Sequence, residues 1–377
     1  MPAGVTDKLN IAIVGAGMGG LAAAAAVRKV GHEVTVYEQA KQFTRLGAGI
    51  QIGCNAMLEE RLRADTFYPR SWNNRDWKSG EVLFDILFGP AAEQAYGAPY
   101  LLAHRGDLHA ALASVVPPEI VKLNYRLTGI DQTPHGVRLT FDNGHVAHAD
   151  AAIGADGVHS VVKAALFGDD EPNFTGRIAY RTVFPAERLK GTEVLNWTKW
   201  WGEDRHVVIY PVKPDRSEIY FVTSQPEPGF NLESWSATGD VKVLREAFKA
   251  FHPEARAVIN AAPKVHKRPL VDRDPLPRWV DGRVALLGDA CHPMTPYMAQ
   301  GAAMAIEDSA ILARCLEGRD RDGVETGLRR YEATRKERTA RMQFTSRKNI
   351  WGKGVTDVDW VYSYNAWEAS LAPPPEA

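Results

Sequence analysis

Residues 9–38 limit the start of the chain to very few folds. Residues 9–14 (LNIAIV) form a short apolar run rich in β-branched side chains, which predicts a buried strand. The glycine-rich turn GAGMGG (15–20) follows at once, and then LAAAAAVRKV, a strong helix former. Gly31 and His32 end that helix, and residues 33–37 (EVTVY) predict a second strand leading into Glu38. Strand, glycine turn, helix, strand and acid make one βαβ unit of about 30 residues. Within G-x-G-x-x-G, Gly15 permits the tight turn, Gly17 lets backbone approach a pyrophosphate, and Gly20 lets the helix pack on the sheet. The pyrophosphate would rest on the positive end of the helix. Glu38, 18 residues beyond Gly20, suits the hydroxyls of an adenosine ribose and would repel a 2′-phosphate. The unit by itself leaves FAD and NAD open as the dinucleotide.

The rest of the chain changes character twice. Between about 177 and 267 strand signals follow one another (GRIAYRTVF, VLNWTKWW, HVVIYPV, SEIYFVTS) with turn residues between them, which predicts an antiparallel sheet. Parallel-type signals return with RVALL at 283–287, then GDACHP and a helix from near Met298. The expected fold is therefore α/β, a Rossmann-type nucleotide-binding domain interrupted by an inserted antiparallel β-sheet domain. The first is expected to comprise residues 1–75, 99–176 and 268–345, and the second 76–98 and 177–267. Residues 346–377 are expected as a C-terminal extension whose Pro-rich end (APPPEA) is disordered. With 377 residues the chain can bury a large core. Its 45 Lys+Arg balance 46 Asp+Glu, which gives no electrostatic case for nucleic acid. No apolar run is long enough for a membrane span, and the N-terminus lacks signal-peptide character, so a cytoplasmic protein is expected. Three scattered cysteines, Cys54, Cys291 and Cys315, show no CxxC spacing and predict no disulfide framework.

Two further motifs bear on the ligand. In VALLGDACHPMTPYMAQGAAMAIED (284–308) a buried strand signal runs into Gly288-Asp289, a Pro-punctuated loop, Gly301 and a helix. In AAIGADGVHSVVK (151–163) the pair Asp156-Gly157 precedes Ser160 and Lys163. With RLGAGIQI (45–52) and HRGDL around Arg105, these segments resemble the group A FAD-dependent aromatic hydroxylases, the single-component flavoprotein monooxygenases. The resemblance runs from residue 9 to about 345 and is strongest to the branch of 6-hydroxynicotinate, salicylate and 3-hydroxybenzoate hydroxylases. It implies the glutathione-reductase-type FAD domain of p-hydroxybenzoate hydroxylase-like enzymes (PHBH-like). It also implies bound FAD, with NADH or NADPH and O₂ as cosubstrates. The implied reaction passes one oxygen of a C4a-hydroperoxyflavin to a phenolic aromatic or N-heteroaromatic carboxylate, with loss of CO₂ in some members. Arg45 and Arg105 would lie against the FAD, Asp156 would serve FAD and the nicotinamide nucleotide, and Asp289 would bind the ribityl chain. The helix after Gly301 would face the flavin pyrimidine edge. Lys163 stands where the family usually has Arg, replacing a fork of donors by a point charge.

Substrate-facing candidates come from DRHVVIY (204–210), where His206 and Tyr210, four apart, project to one face of a strand. In members of the resembling branch a His and a Tyr occupy these places, which implies that His206 assists deprotonation or binds the ring substituents and that Tyr210 hydrogen-bonds the substrate. Gln51, Tyr297 and Thr223 are further candidates for the pocket. Gln51 and Tyr297 depart from the 6-hydroxynicotinate branch, which has His at both. Trp200 and Trp201 read equally as pocket wall or core. Cys291 reads as small buried packing, and His292 and His266 lack companions at metal-ligand spacing, so no metal is expected. Residues 327–347 alternate in charge and read as a solvated surface helix and candidate oligomer contact; monomer and homodimer both stay open. Two other functional classes compete: a flavin epoxidase or oxidase acting on a larger substrate, and a flavin-binding module without turnover.

Overall fold

The computed structural model describes residues 8–45, 48–56, 64–230, 238–354 and 356–374. Strand Asn10–Val14 lies inside a six-stranded sheet ordered Val280–Asp281, Val284–Leu286, Ala151–Gly154, Asn10–Val14, Glu33–Glu38, Val121–Leu123. All its pairs are parallel except the one at the Val280–Asp281 edge. Such a sheet must be covered on both faces, which is why its central strands are apolar throughout. One cover is the helix Met18–Lys29 packed on the helix Gly301–Leu316. The two can touch because small residues line the contact: a Cβ on Gly19 would stand 3.1 Å from that of Ala305.

A second, eight-stranded sheet runs Thr238–Gly239, Val265–Asp272, Asn173–Pro185, Glu218–Pro226, His206–Pro211, Trp197–Trp201, Ser71–Asp76, Val82–Leu87. It is antiparallel but for the Trp197–Trp201 and Ser71–Asp76 pair. Its first strand in the chain starts at Ser71, so the boundary expected at 76 falls at the end of an element. Odd and even positions of His206–Pro211 divide as a pleat requires. Val207 and Ile209 join a core with the helices Val241–Ala247 and Pro253–Ala261, while Val208 and Tyr210 face the other way, toward the nucleotide-binding half.

The helix Val324–Arg347 departs from the solvated helix expected over 327–347. Leu328, Tyr331, Arg335, Thr339, Met342 and Ser346 are all fully buried along one face. The charge alternation hid this face because one of its members is an arginine. The C-terminal end also departs from expectation: Ala372 donates its N–H to Thr334 and accepts from Arg330, which ties it to that helix. Residues 375–377 lie outside the described residues, as do 57–63 of the segment after Asn55. No helix among the described residues is long and apolar enough to cross a membrane.

Candidate active site

A cleft of about 450 Å³ opens between the two sheets, lined by Gly17, Met18, Gly49, Gln51, Arg105, Gly157, Tyr210, Asp289 and Gly301 among others. Gly15 has φ +101°, and a Cβ on Gly20 would stand 1.9 Å from the Gly15 carbonyl oxygen, so only glycine allows this strand-to-helix approach. Gly17 has nothing within 4 Å of its Cβ position and borders the cleft. No side chain caps the helix that follows it. Glu38 accepts from the N–H groups of Ala16 and Ala40, both at 2.8 Å, and so fixes the glycine turn while keeping lone pairs free.

On the opposite wall Gly288-Asp289 leads to the uncapped helix N-terminus at Gly301. A buried ion network holds this loop from below. Asp308 accepts from Gly288 N–H (3.1 Å), from Arg335 Nε (2.7 Å), and pairs with His292 Nε2 (2.6 Å). Burial pushes the Asp308 carboxyl up, but His292 and Arg335 outweigh it and hold its pKa below the usual carboxylate range. Glu307 beside it is bound by Arg335, Arg338 and Asn55. His292 thus has the companions that its spacing in the sequence concealed, since Cys291, His292 and Asp308 bring ligand atoms within 4.8 Å of one another. Both Asp308 oxygens are already committed, and burial raises the Cys291 thiol well above its ordinary pKa.

Beyond Gln51, Val222, Pro296 and Ala299 the cleft continues into an annex of about 40 Å³ lined also by Trp72, Trp197, Lys199, His206, Ser224 and Tyr297. His206 stands edge-on to Tyr297, ring centroids 5.7 Å apart, and Tyr297 Oη lies 3.1 Å from Ser224 Oγ. Burial above all presses the His206 pKa well below its ordinary value, so the ring is neutral near pH 7 and stands ready to accept a hydrogen bond. Burial, then Tyr220, raise the Tyr210 pKa, with Gln51 opposing through a hydrogen bond; the phenol stays protonated and can donate. Gln51 itself accepts from Tyr100 at 3.1 Å.

These residues fit FAD. A glycine-floored turn and two uncapped helix ends suit phosphates and an anionic ring edge, and Arg105 lines the cleft with no side-chain hydrogen bond among the described residues. The comparisons agree. A family model described as "FAD binding domain" matches residues 120–345, and one described as "NAD(P)-binding Rossmann-like domain" matches 13–49. The chain is 43% identical to 6-hydroxynicotinate 3-monooxygenase of Bordetella bronchiseptica, over 97% of each protein. It is 36% identical to 3-hydroxybenzoate 6-hydroxylase 1 of Aquipseudomonas alcaligenes, over 90% of this chain and 88% of the relative. The solved structure of Klebsiella pneumoniae HpxO with FAD and uric acid superposes with a TM-score of 0.81 at 26% identity, covering 94% of this chain and 91% of the other. The chain belongs to the FAD-dependent aromatic hydroxylases.

As a member of that family it is a monooxygenase that binds FAD and draws on NAD(P)H. Three candidates lie otherwise than their motifs suggested. Arg45 is not in the cleft wall: its guanidinium is clamped by Asp107 and Glu218, each at 2.6 Å, which together offset its charge. Asp156 accepts from Ser160 Oγ (2.5 Å) and Val162 N–H (3.1 Å), capping the helix Val161–Phe167, and it is Gly157 that borders the cleft. Lys163 turns inward to Asp170 and the Gly168 carbonyl. Thr223 touches the annex, but it pairs in register with Val207 and its hydroxyl accepts from Tyr180 N–H, so Val222 and Ser224 present their side chains in its place. Of the tryptophans, Trp200 belongs to the core behind the sheet, while Trp197 and Trp72, stacked at 4.3 Å, wall the annex. Sequence reasoning missed Lys199, Tyr220, Arg181 and Arg268. The signal for Lys199 was present, a lysine alternating with Trp197 and Trp201 on one strand face.

Proposed function

We propose that the protein hydroxylates a phenolic aromatic or N-heteroaromatic carboxylate, as a 6-hydroxynicotinate 3-monooxygenase-like enzyme. The observation that carries this is one strand face that places a neutral imidazole, His206, in the annex and a phenolic donor, Tyr210, in the cleft that opens into it. FAD, reduced by NAD(P)H, supplies the oxidant when bound. The side chains do the rest. Gly15, Gly17, Gly20, Glu38, Arg105, Gly288, Asp289 and Gly301 bind the cofactor. Asp156 acts behind them at the start of the helix Val161–Phe167, and Arg45 joins Asp107 of the helix Arg105–Ser114 to Glu218 of the strand Glu218–Pro226. Gln51 and Tyr297 bound the ring, Tyr210 donates to a ring oxygen, and His206 accepts from the phenolic hydroxyl and so assists its deprotonation, since a phenolate is the better nucleophile. The apolar walls of Trp72, Trp197 and Val222 exclude water from the reacting atoms.

A second reading, hydroxylation of salicylate or 3-hydroxybenzoate, is favoured by Gln51, an amide held by Tyr100 where the 6-hydroxynicotinate branch carries an imidazole. The small annex counts against a larger epoxidase substrate. The enzyme is assigned to the cytoplasm as a monomer or homodimer, with buried free Cys54, Cys291 and Cys315 in support of a reducing compartment. The test is stopped-flow flavin reduction by NADH and NADPH with 6-hydroxynicotinate, salicylate, 3- and 4-hydroxybenzoate, with products identified by mass. Acceleration by one ring and incorporation of oxygen into it supports the proposal. Equal reduction with and without every ring overturns it.

A further inference from the structure

Lys199 is 1% exposed, on the middle of strand Trp197–Trp201. Its register partner is Val208, between His206 and Tyr210, so all three side chains share the cleft face. Its Nζ has no hydrogen-bond or ion-pair partner among the described residues. It lies 3.7 Å from the ring centroid of Trp201 and 5.7 Å from that of Trp72. The groups that face it are also uncharged or positive. His206 and Tyr297 line the annex with it, Arg177 is near enough to act on His206, and Lys353 approaches Trp201 from the C-terminal segment. Among the described residues no carboxylate lines the annex. An amine so placed is costly unless a ligand completes it, because proteins almost never bury a lysine without a partner.

We infer that Lys199 selects the substrate class, by holding the carboxylate of an aromatic acid in the annex beside His206. The inference rests on the aromatic-acid reading above and names the residue that enforces it. Burial alone drives the Lys199 pKa well below its ordinary value, so the free enzyme holds a neutral amine there. When the anion enters, the amine takes one proton from solvent, and ammonium and carboxylate enter the closed cavity as a net-neutral pair. An uncharged ring gains nothing from this exchange. The annex volume of about 40 Å³ fits a carboxylate-sized tip and leaves the ring itself in the cleft.

The experiment uses FAD-loaded wild type and Lys199→Met, with Lys199→Gln as a second variant should the first lose flavin. Binding is followed by the flavin absorbance change for two matched pairs, 3-hydroxybenzoate with phenol and 6-hydroxynicotinate with 2-hydroxypyridine. Proton uptake is read with an indicator in weak buffer. The expected result is that Kd for the acids rises at least about 30-fold in the variants while Kd for the uncharged rings moves less than about threefold. One proton should be taken up per acid bound by wild type and none by Lys199→Met. Equal weakening of acids and uncharged rings, or unchanged acid binding, overturns the role of Lys199 and leaves the proposed function standing. Acids that bind through Lys199 but are never hydroxylated overturn the function and leave the carboxylate site. A wild type that binds none of the acids overturns both.

Discussion

His206 and Lys199 share one sheet face, and the fold keeps both short of protons. Each has a folded pKa below its unfolded value, so the unfolded chain binds more protons and stability falls as pH falls. For Lys199 that loss sets in below its ordinary 10.5, and for His206 below 6.5. Lys199→Met, which removes the larger of these costs, is therefore expected to raise unfolding stability at pH 7 by on the order of 1–2 kcal/mol and to flatten its dependence on alkaline pH. Denaturant titrations across pH 6–10 check this, and a less stable variant contradicts it. His206→Ala should keep its flavin and lower the hydroxylation rate by roughly 10²–10³-fold, the usual worth of a positioned base. A product-resolved turnover assay with matched flavin content decides it. Both residues belong to alternating strands, and that pattern was legible. What the sequence did not display is that Trp72 and Trp197, from distant segments, stack to wall the pocket beside them.

Two elements carry the cofactor wall, and they tolerate change differently. Gly20→Ala places a methyl group against the Gly15 carbonyl and should destabilise the fold by several kcal/mol, on the order of 3. Gly17→Val meets open space, so it should fold normally and purify without flavin. Thermal melts set beside flavin-to-protein absorbance ratios separate the two. Under the opposite wall, Arg335→Met strips a guanidinium that touches both Asp308 and Glu307, each fully buried. Breaking a buried network in this way costs about 3–5 kcal/mol. Because Asp308 also holds Gly288 N–H, the variant should release FAD more readily as well, read by flavin fluorescence on dilution. The glycine turn was readable because steric need writes itself into residue identity. The ion network was not, since its members come from the helices Gly301–Leu316 and Val324–Arg347 and look like ordinary surface charge.

The cleft lies between the six-stranded and the eight-stranded sheet, so FAD bound there would touch both halves of the molecule and should act as a staple. At a concentration 100 times its Kd a ligand confined to the folded state adds about 2.7 kcal/mol. Deflavinated protein should accordingly melt several degrees below the holoenzyme, with recovery on adding FAD back; identical melting temperatures would mean that the cleft is not its site. The sequence by itself determined the βαβ unit, the interruption by a second sheet and the pairing of His206 with Tyr210. Those depend on backbone sterics and on period-two alternation, both local in the chain. Tertiary structure alone decided that Arg45 is spent on Asp107 and Glu218 and that Asp156 caps a helix. It also decided that Thr223 turns from the annex and that Lys199 stands in it with no hydrogen-bond or ion-pair partner among the described residues. A side chain's charge is fixed by its identity, but whether that charge is neutralised, buried or left for a ligand depends on what distant segments bring within a few ångströms of it.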